Sequence, residues 1–339
     1  MSRSPGSNAR GRVWLAAVGT ALAVLTVVAL AGPGAPKPGE GGRRPPQQTP
    51  PAPQQPTFRA GARTVPIYVS VTDQVGAFVM DLAKEDFEVR DDGRVQPITQ
   101  FTTDIQPITA IVLMAGSRSM VNALDMVMTA ADHFVVRLMP GDRARVGSFS
   151  EDIRFSPAFT ADRDALARQV NDLFALRVGP VTRLWDAIGE ATTLFESGEG
   201  RRVIIAFTDG EDTWSDSTFS DALARARRAD VMVYAVLIRG IQRLPEDRSR
   251  RRAPSGTFTD LAVDTGGGYY IVNNKLADLN PIATQIAEEL HSQYVIGFLP
   301  EQLDGKLHKL EVKVKRPQVK VRARQSYVAD PERIGGGRP

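Results

Sequence analysis

The stretch that decides the fold is "AIVLMAGSRSMV", Ala110–Val121. It passes from an unbroken apolar, β-forming run into a turn of small residues and then into a helical pattern. Ser117 and Ser119 sit two apart on that turn. A strand without polar alternation is one covered on both faces, as in a parallel sheet packed between helices.

Working outward, the same punctuation recurs from Gln106 to His291. "ITAIVLMA", "ARVGSFS", "RRVIIAFTD", "VMVYAVLI" and "GGYYIV" read as strands. Helical periodicity predicts helices over 119–138, 162–174, 182–196, 217–229, 258–264 and 279–291. Alternating strands and helices predict an α/β fold: a doubly wound, mostly parallel, Rossmann-like sheet. On either side the pattern turns β-rich. Residues 64–105 include "TVPIYVSVTD" and "EDFEVRDDGRVQPITQFTT", the latter read as two short strands turning at Asp92-Gly93. Residues 292–329 include "SQYVIGFLP" and the alternating "KLEVKVK". The two flanks are expected to form an accessory β domain, and residues 330–339 a disordered tail.

In an open α/β sheet, ligands bind beyond the carboxyl ends of the strands. Three loops predicted there carry oxygen donors: "AGSRSM" with Ser117 and Ser119, "GPVTRLWDAI" with Thr182, and "FTDGEDT" with Asp209. Hydroxyl and carboxylate oxygens suit a hard cation such as Mg²⁺. The same residues also suit local roles. Serines at a helix start can accept free backbone N–H groups, Thr182 fits an N-cap, and Asp209 fits a turn before Gly210.

At these residues the chain resembles the von Willebrand factor type A superfamily, and over 65–329 a group of exported bacterial proteins called VWFA-related. The family's metal-ion-dependent adhesion site has an Asp-x-Ser-x-Ser turn, a distant Thr and a distant Asp. The resemblance implies Ser117, Ser119, Thr182 and Asp209 as metal ligands, for Mg²⁺ or else Mn²⁺ or Ca²⁺. It also implies a protein partner, engaged through an acidic residue if the metal is held. The departure is Ala115, which stands where the family has its first aspartate. One carboxylate is lost, so the expectation is a degenerate site, with Asp212 a further carboxylate in the same turn as Asp209.

The chain has 339 residues, 42% hydrophobic and 24% charged, which is ample for a folded core. There is no cysteine, which excludes disulfides and thiolate chemistry. The formal charge is +3, with Arg3, Arg10 and Arg12 ahead of the first apolar run. What remains is near neutral, which speaks against nucleic-acid binding. No spacing of glycines fits a phosphate loop, and no small-molecule substrate is expected.

Val13–Ala31 is an uncharged apolar run after a basic segment, so residues 1–31 read as a signal peptide or as an N-terminal membrane anchor. Either reading places the rest outside the cytoplasm: periplasmic, secreted or held at the inner membrane. Residues 32–63, rich in proline and glycine, read as a disordered spacer. The segment Arg239–Arg252 holds six arginines against Glu246 and Asp247. It reads as a solvated insertion or as a patch for anionic lipid, wall polymer or acidic protein.

Three functions follow: a protein-binding or adhesion module, an envelope scaffold with a vestigial site, and, remotely, a serine hydrolase. The last rests on the chain order Ser117, Asp209, His291, without a Gly-x-Ser-x-Gly. No enzyme is expected.

Overall fold

The computed structural model describes residues 64–174, 178–196, 200–239, 255–273 and 278–331. The apolar run 13–31, the spacer 32–63, the basic segment beyond Arg239 and most of the tail lie outside the described residues. The chain enters through β1 (Val65–Thr72), β2 (Phe87–Asp91), β3 (Arg94–Gln96) and β4 (Ile98–Thr102). An α/β body follows: β5 (Ile108–Ala115), a 3-10 turn over Arg118–Ala123, α1 (Leu124–Val136), β6 (Arg143–Phe149), β7 (Ile153–Phe155), α2 (Arg163–Phe174) and α3 (Leu184–Thr193). It continues with β8 (Arg201–Thr208), α4 (Phe219–Ala229), β9 (Val231–Ile238), α5 (Ser255–Asp264), β10 (Tyr269–Val272) and α6 (Asn280–His291). Strands β11 (Tyr294–Phe298), β12 (Leu307–Val314), β13 (Lys320–Arg322) and β14 (Ser326–Val328) close the chain.

The body is built on a six-stranded sheet in the order β10-β9-β8-β5-β6-β7. All neighbours run parallel except β6 and β7. Strands β5, β8 and β9 are buried at every position, which is why their sequences show no alternation. Helix α1 packs between α2 and α6, and α4 between α3 and α5. The α4 start is fixed by a reciprocal box: the Asp221 N–H donates to Thr218 Oγ1 at 3.2 Å, and the Thr218 N–H to Asp221 Oδ2 at 2.9 Å. The connection from β5 leads to β6 on one side, and that from β8 leads to β9 on the other. The crevice between the carboxyl ends of β5 and β8 is therefore the topological switch point.

The flanks interleave in two four-stranded sheets, β13-β1-β11-β4 and β14-β12-β2-β3. The hairpin β2–β3 turns at Asp92 (φ 47°) and Gly93 (φ 82°), a pair of left-handed residues suited to a tight turn. The expected second strand of that pair is split. Pro97 has no N–H to offer the ladder. Beyond it the chain crosses to the other sheet as β4, beside β11. Val65, Ile67, Val69 and Val71 of β1 are buried in a core with Phe87, Val89, Phe298, Leu310 and Tyr327.

The alternate β1 residues face the α/β body. The Arg201 guanidinium lies 4.9 Å from the Tyr68 ring centroid. Ser70 Oγ donates to Glu289 Oε1 on α6 at 2.6 Å. Glu289 is buried, accepts the Tyr234 hydroxyl at 2.9 Å and pairs with Arg322 of β13. A charge buried this deeply is tolerated because it is both paired and hydrogen-bonded. Among the described residues no helix is long and apolar enough to cross a membrane.

Candidate functional site

The candidate residues lie on loops at the carboxyl end of the sheet. Met114 of β5 stands in register with Phe207 of β8. The chain therefore leaves the sheet at neighbouring points toward Ser117 and toward Asp209. Ser117 and Ser119 are brought together, with their hydroxyls 3.0 Å apart. Ser117 begins the 3-10 turn, but its side chain makes no cap bond to the backbone. The helix-start role expected for it is thus replaced by a hydroxyl–hydroxyl contact.

The three loops are stitched by backbone. The Gly179 N–H donates to the Gly116 carbonyl at 3.0 Å, and the Arg118 N–H to the Gly179 carbonyl at 2.9 Å. A side chain on Gly179 would meet Ser150 Oγ at 2.5 Å, so only glycine permits this approach. The Thr182 carbonyl accepts the N–H groups of Thr213 and Trp214 at 2.9 and 3.0 Å, and Thr213 Oγ1 accepts the Thr182 N–H at 2.8 Å.

Thr182 is buried but is not the N-cap of α3; Arg183 occupies that place and makes no cap bond with its side chain. The free N–H groups of α3 are taken from another loop. Asp212 Oδ1 accepts the Leu184 N–H at 2.8 Å, and Ser215 Oγ accepts those of Trp185 and Asp186 at 3.1 and 3.2 Å. Ser215 in turn donates to Asp212 at 2.5 Å. Burial raises the Asp212 pKa against these hydrogen bonds. Asp209 does make the expected turn, with Oδ1 accepting the Glu211 N–H at 3.0 Å across a left-handed Gly210 (φ 81°).

Asp186 ties the same loop down from the α3 side. Its carboxylate accepts Arg183 at 2.8 and 3.0 Å and the N–H groups of Asp216 and Ser217 at 2.9 Å each. Burial works to raise its pKa, but the Asp216, Ser217 and Arg183 hydrogen bonds outweigh it and the pKa is lowered.

As donors for Mg²⁺, Ser117, Ser119, Thr182 and Asp209 bring one carboxylate and three neutral hydroxyls. Position 115 is a fully buried alanine, and Asp212 is committed to α3. One charge is little return for dehydrating a small divalent ion, so this set does not fit a tightly held Mg²⁺.

The rim of the same face holds apolar residues that sequence reasoning passed over. Trp214 is 58% exposed, Val121 45% and Val178 41%. Each directly adjoins one of the three loops. A tryptophan in a run of Asp, Thr and Ser is the signal that could have found the first.

His291 is not brought to Ser117. Its Nε2 lies 2.8 Å from Asp142 Oδ2, and Asp142 Oδ1 accepts the Ile108 N–H at 2.9 Å, at the amino end of β5. Ser117 follows the carboxyl end of that strand, so the triad order in the sequence does not become a triad in space.

A family model for the von Willebrand factor type A domain matches residues 111–298. No curated protein matches the chain. Among solved structures, the chain is similar to an aerotolerance-related membrane protein from Bacteroides fragilis NCTC 9343. They share 18% identity over 54% of this chain and 98% of that one, with a TM-score of 0.45. It is similar to von Willebrand factor type A from Catenulispora acidiphila at 12% identity, over 80% and 75% of the two chains, with a TM-score of 0.46. A third is proximal thread matrix protein 1 from the mussel byssus, with a zinc-occupied MIDAS motif. There the identity is 13%, the coverage 60% and 50%, and the TM-score 0.48. The family model begins within β5, takes in the rest of the α/β body and ends with β11, more than half of the 339 residues. On that match, the chain belongs to the von Willebrand factor type A domain family.

Proposed function

We propose that the chain is an exported, non-catalytic protein-recognition module that binds its partner on the face formed by the loops at Ser117, Thr182 and Asp209. One observation carries this reading. Trp214, 58% exposed, sits on a loop whose backbone is pinned to the Thr182 carbonyl. An aromatic side chain presented on a fixed backbone loses little freedom on binding and buries much area, which is how interface anchors work. Val121 and Val178 add apolar area on the neighbouring loops.

The same reading makes recognition independent of a divalent ion. The donor set brings one carboxylate, so shape, apolar burial and the part-exposed Ser119 hydroxyl do the work that a bridging metal would do with a partner's acidic residue. The extracytoplasmic location rests on the apolar run Val13–Ala31 and the arginines before it.

The test is capture of envelope proteins by the full chain, compared with Trp214→Ala, with and without EDTA. The expected result is a partner retained in EDTA and lost with Trp214→Ala. A captured set that Trp214→Ala leaves unchanged overturns the choice of face. A set that disappears in EDTA overturns the metal-free mode.

A further inference from the structure

At one end of the sheet β14-β12-β2-β3 a histidine and three aspartates converge. Asp91 ends β2, Asp92 begins the hairpin turn, His308 lies on β12, and Asp304 lies in the loop before it. His308 Nδ1 is 3.0 Å from Asp91 Oδ1 and 3.5 Å from Asp92 Oδ2. These three ligand atoms all lie within 4.8 Å of one another.

The outer contacts are those of a metal-binding histidine. His308 Nε2 lies 3.2 Å from Asp304 Oδ1. With the Nε2–H donating to Asp304, Nδ1 turns its lone pair toward the space it shares with Asp91 and Asp92. A carboxylate on the far nitrogen is the usual means of fixing the tautomer and ring orientation of a ligating histidine. The aspartates are oriented in the same way. The Tyr327 hydroxyl donates to Asp91 Oδ2 at 2.9 Å, leaving Oδ1 inward, and the Lys309 N–H donates to Asp92 Oδ1 at 2.8 Å, leaving Oδ2 inward. Asp304 is itself held by the Lys306 N–H at 2.9 Å.

The spacing suits a small transition cation. Bonds of about 2.0–2.1 Å at tetrahedral angles separate adjacent ligand atoms by about 3.3 Å, midway between the two distances to Nδ1. A cleft of about 190 Å³, lined by Asp91, Asp92, Glu301 and His308 among others, opens beside the cluster and gives entry and room for water. Imidazole nitrogen beside carboxylates favours Zn²⁺ over Mg²⁺ or Ca²⁺.

We propose that Asp91, Asp92 and His308 form a binding site for a divalent transition cation, with Zn²⁺ as the best chemical match, water in the remaining position and Asp304 as the positioning group for His308. The ion would fasten the β2–β3 turn to β12. Burial works to lower the His308 pKa, but Asp91 and Asp304 outweigh it and the pKa is raised, so the ion competes with a proton there.

The test is Zn²⁺ titration of the full chain at pH 7.5, followed by calorimetry and by the imidazole NMR signals. The chain has three histidines, so the site can be read directly. One equivalent of Zn²⁺ is expected to bind and to move the His308 signals while those of His133 and His291 stay in place. Asp92→Asn, on an exposed side chain that is no part of the core, should weaken binding at least tenfold, and His308→Gln should abolish it. Absence of Zn²⁺ binding, binding that leaves the His308 signals unmoved, or full affinity in Asp92→Asn would each overturn the proposal and leave the cluster as an ion-paired histidine.

Discussion

The Asp212 carboxylate accepts the backbone N–H of Leu184 at 2.8 Å, so a residue of the third top-face loop caps a helix entered from the second. Asp212→Ala removes that acceptor and the one used by Ser215. The expected cost is about 1–2 kcal/mol of unfolding free energy, read from the midpoint of a urea titration. A variant as stable as the parent would mean that water replaces the cap.

The missing carboxylate at position 115 makes a second expectation. Calorimetry of the full chain should detect no sub-millimolar Mg²⁺ site, while Ala115→Asp should gain one, because the second charge is restored next to Asp209. A parent that binds Mg²⁺ as tightly as the variant overturns the incomplete donor set. A variant that still fails to bind shows that the loops lack more than one ligand.

Trp214→Ala should separate binding from folding. The side chain is 58% exposed, so stability should change by no more than about 0.5 kcal/mol. Partner affinity should fall at least tenfold, by about 1.4 kcal/mol or more. Differential scanning calorimetry and a binding isotherm, run on the same preparation, check both halves.

Asp186 gives a pH dependence with a defined sign. Its folded pKa lies below the ordinary carboxylate value. Its contribution to stability is therefore present above about pH 4 and is lost as pH falls through the folded value. Asp186→Asn should cost about 2 kcal/mol at pH 7, where charged hydrogen bonds are lost, and progressively less in acid. Parallel urea titrations from pH 7 down to pH 3 should show the two curves converging. Curves that stay parallel would remove Asp186 as the cause.

The pair of buried Glu289 and part-buried Arg322 predicts a non-additive result. Arg322 replaced alone leaves the buried Glu289 charge uncompensated, at a cost of about 3–5 kcal/mol, while Glu289 replaced alone leaves an arginine whose side chain is 34% exposed and costs less. Glu289→Leu combined with Arg322→Met removes both charges and should recover much of that loss. Denaturation of the two single variants and the double variant checks it.

Strands β5, β8 and β9 were legible because their burial is two-sided and erases alternation from the sequence. The order Ser117, Thr182, Asp209 was legible because each residue follows a readable strand or precedes a readable helix. The caps were not. Ser117 and Thr182 look like cap residues by local position, yet α3 is capped by Asp212 and Ser215, which reach it only through the tertiary fold. The sandwich pairing was hidden for the same reason. The Asp92-Gly93 turn announces a hairpin, but nothing near it names His308, 217 residues beyond Asp91. Pro97 carried the clue to the strand switch, since a missing donor ends a ladder, but not the identity of the next partner.

Strand β1 has a consequence for how the molecule is made. It is the first of the described strands to be synthesised, and its partners β11 and β13 are among the last. Ser70 and Glu289 are 219 residues apart. At about 5–20 residues per second, β1 waits about 10–45 s for its neighbours. Through that interval its apolar row and its unpaired edge have no sheet to join, and the α/β body completes its own sheet with β10 only shortly before β11 is made. The β1 edge is therefore the point at which a nascent chain is most open to pairing with the wrong strand, and completion of its carboxyl end is what closes that opening.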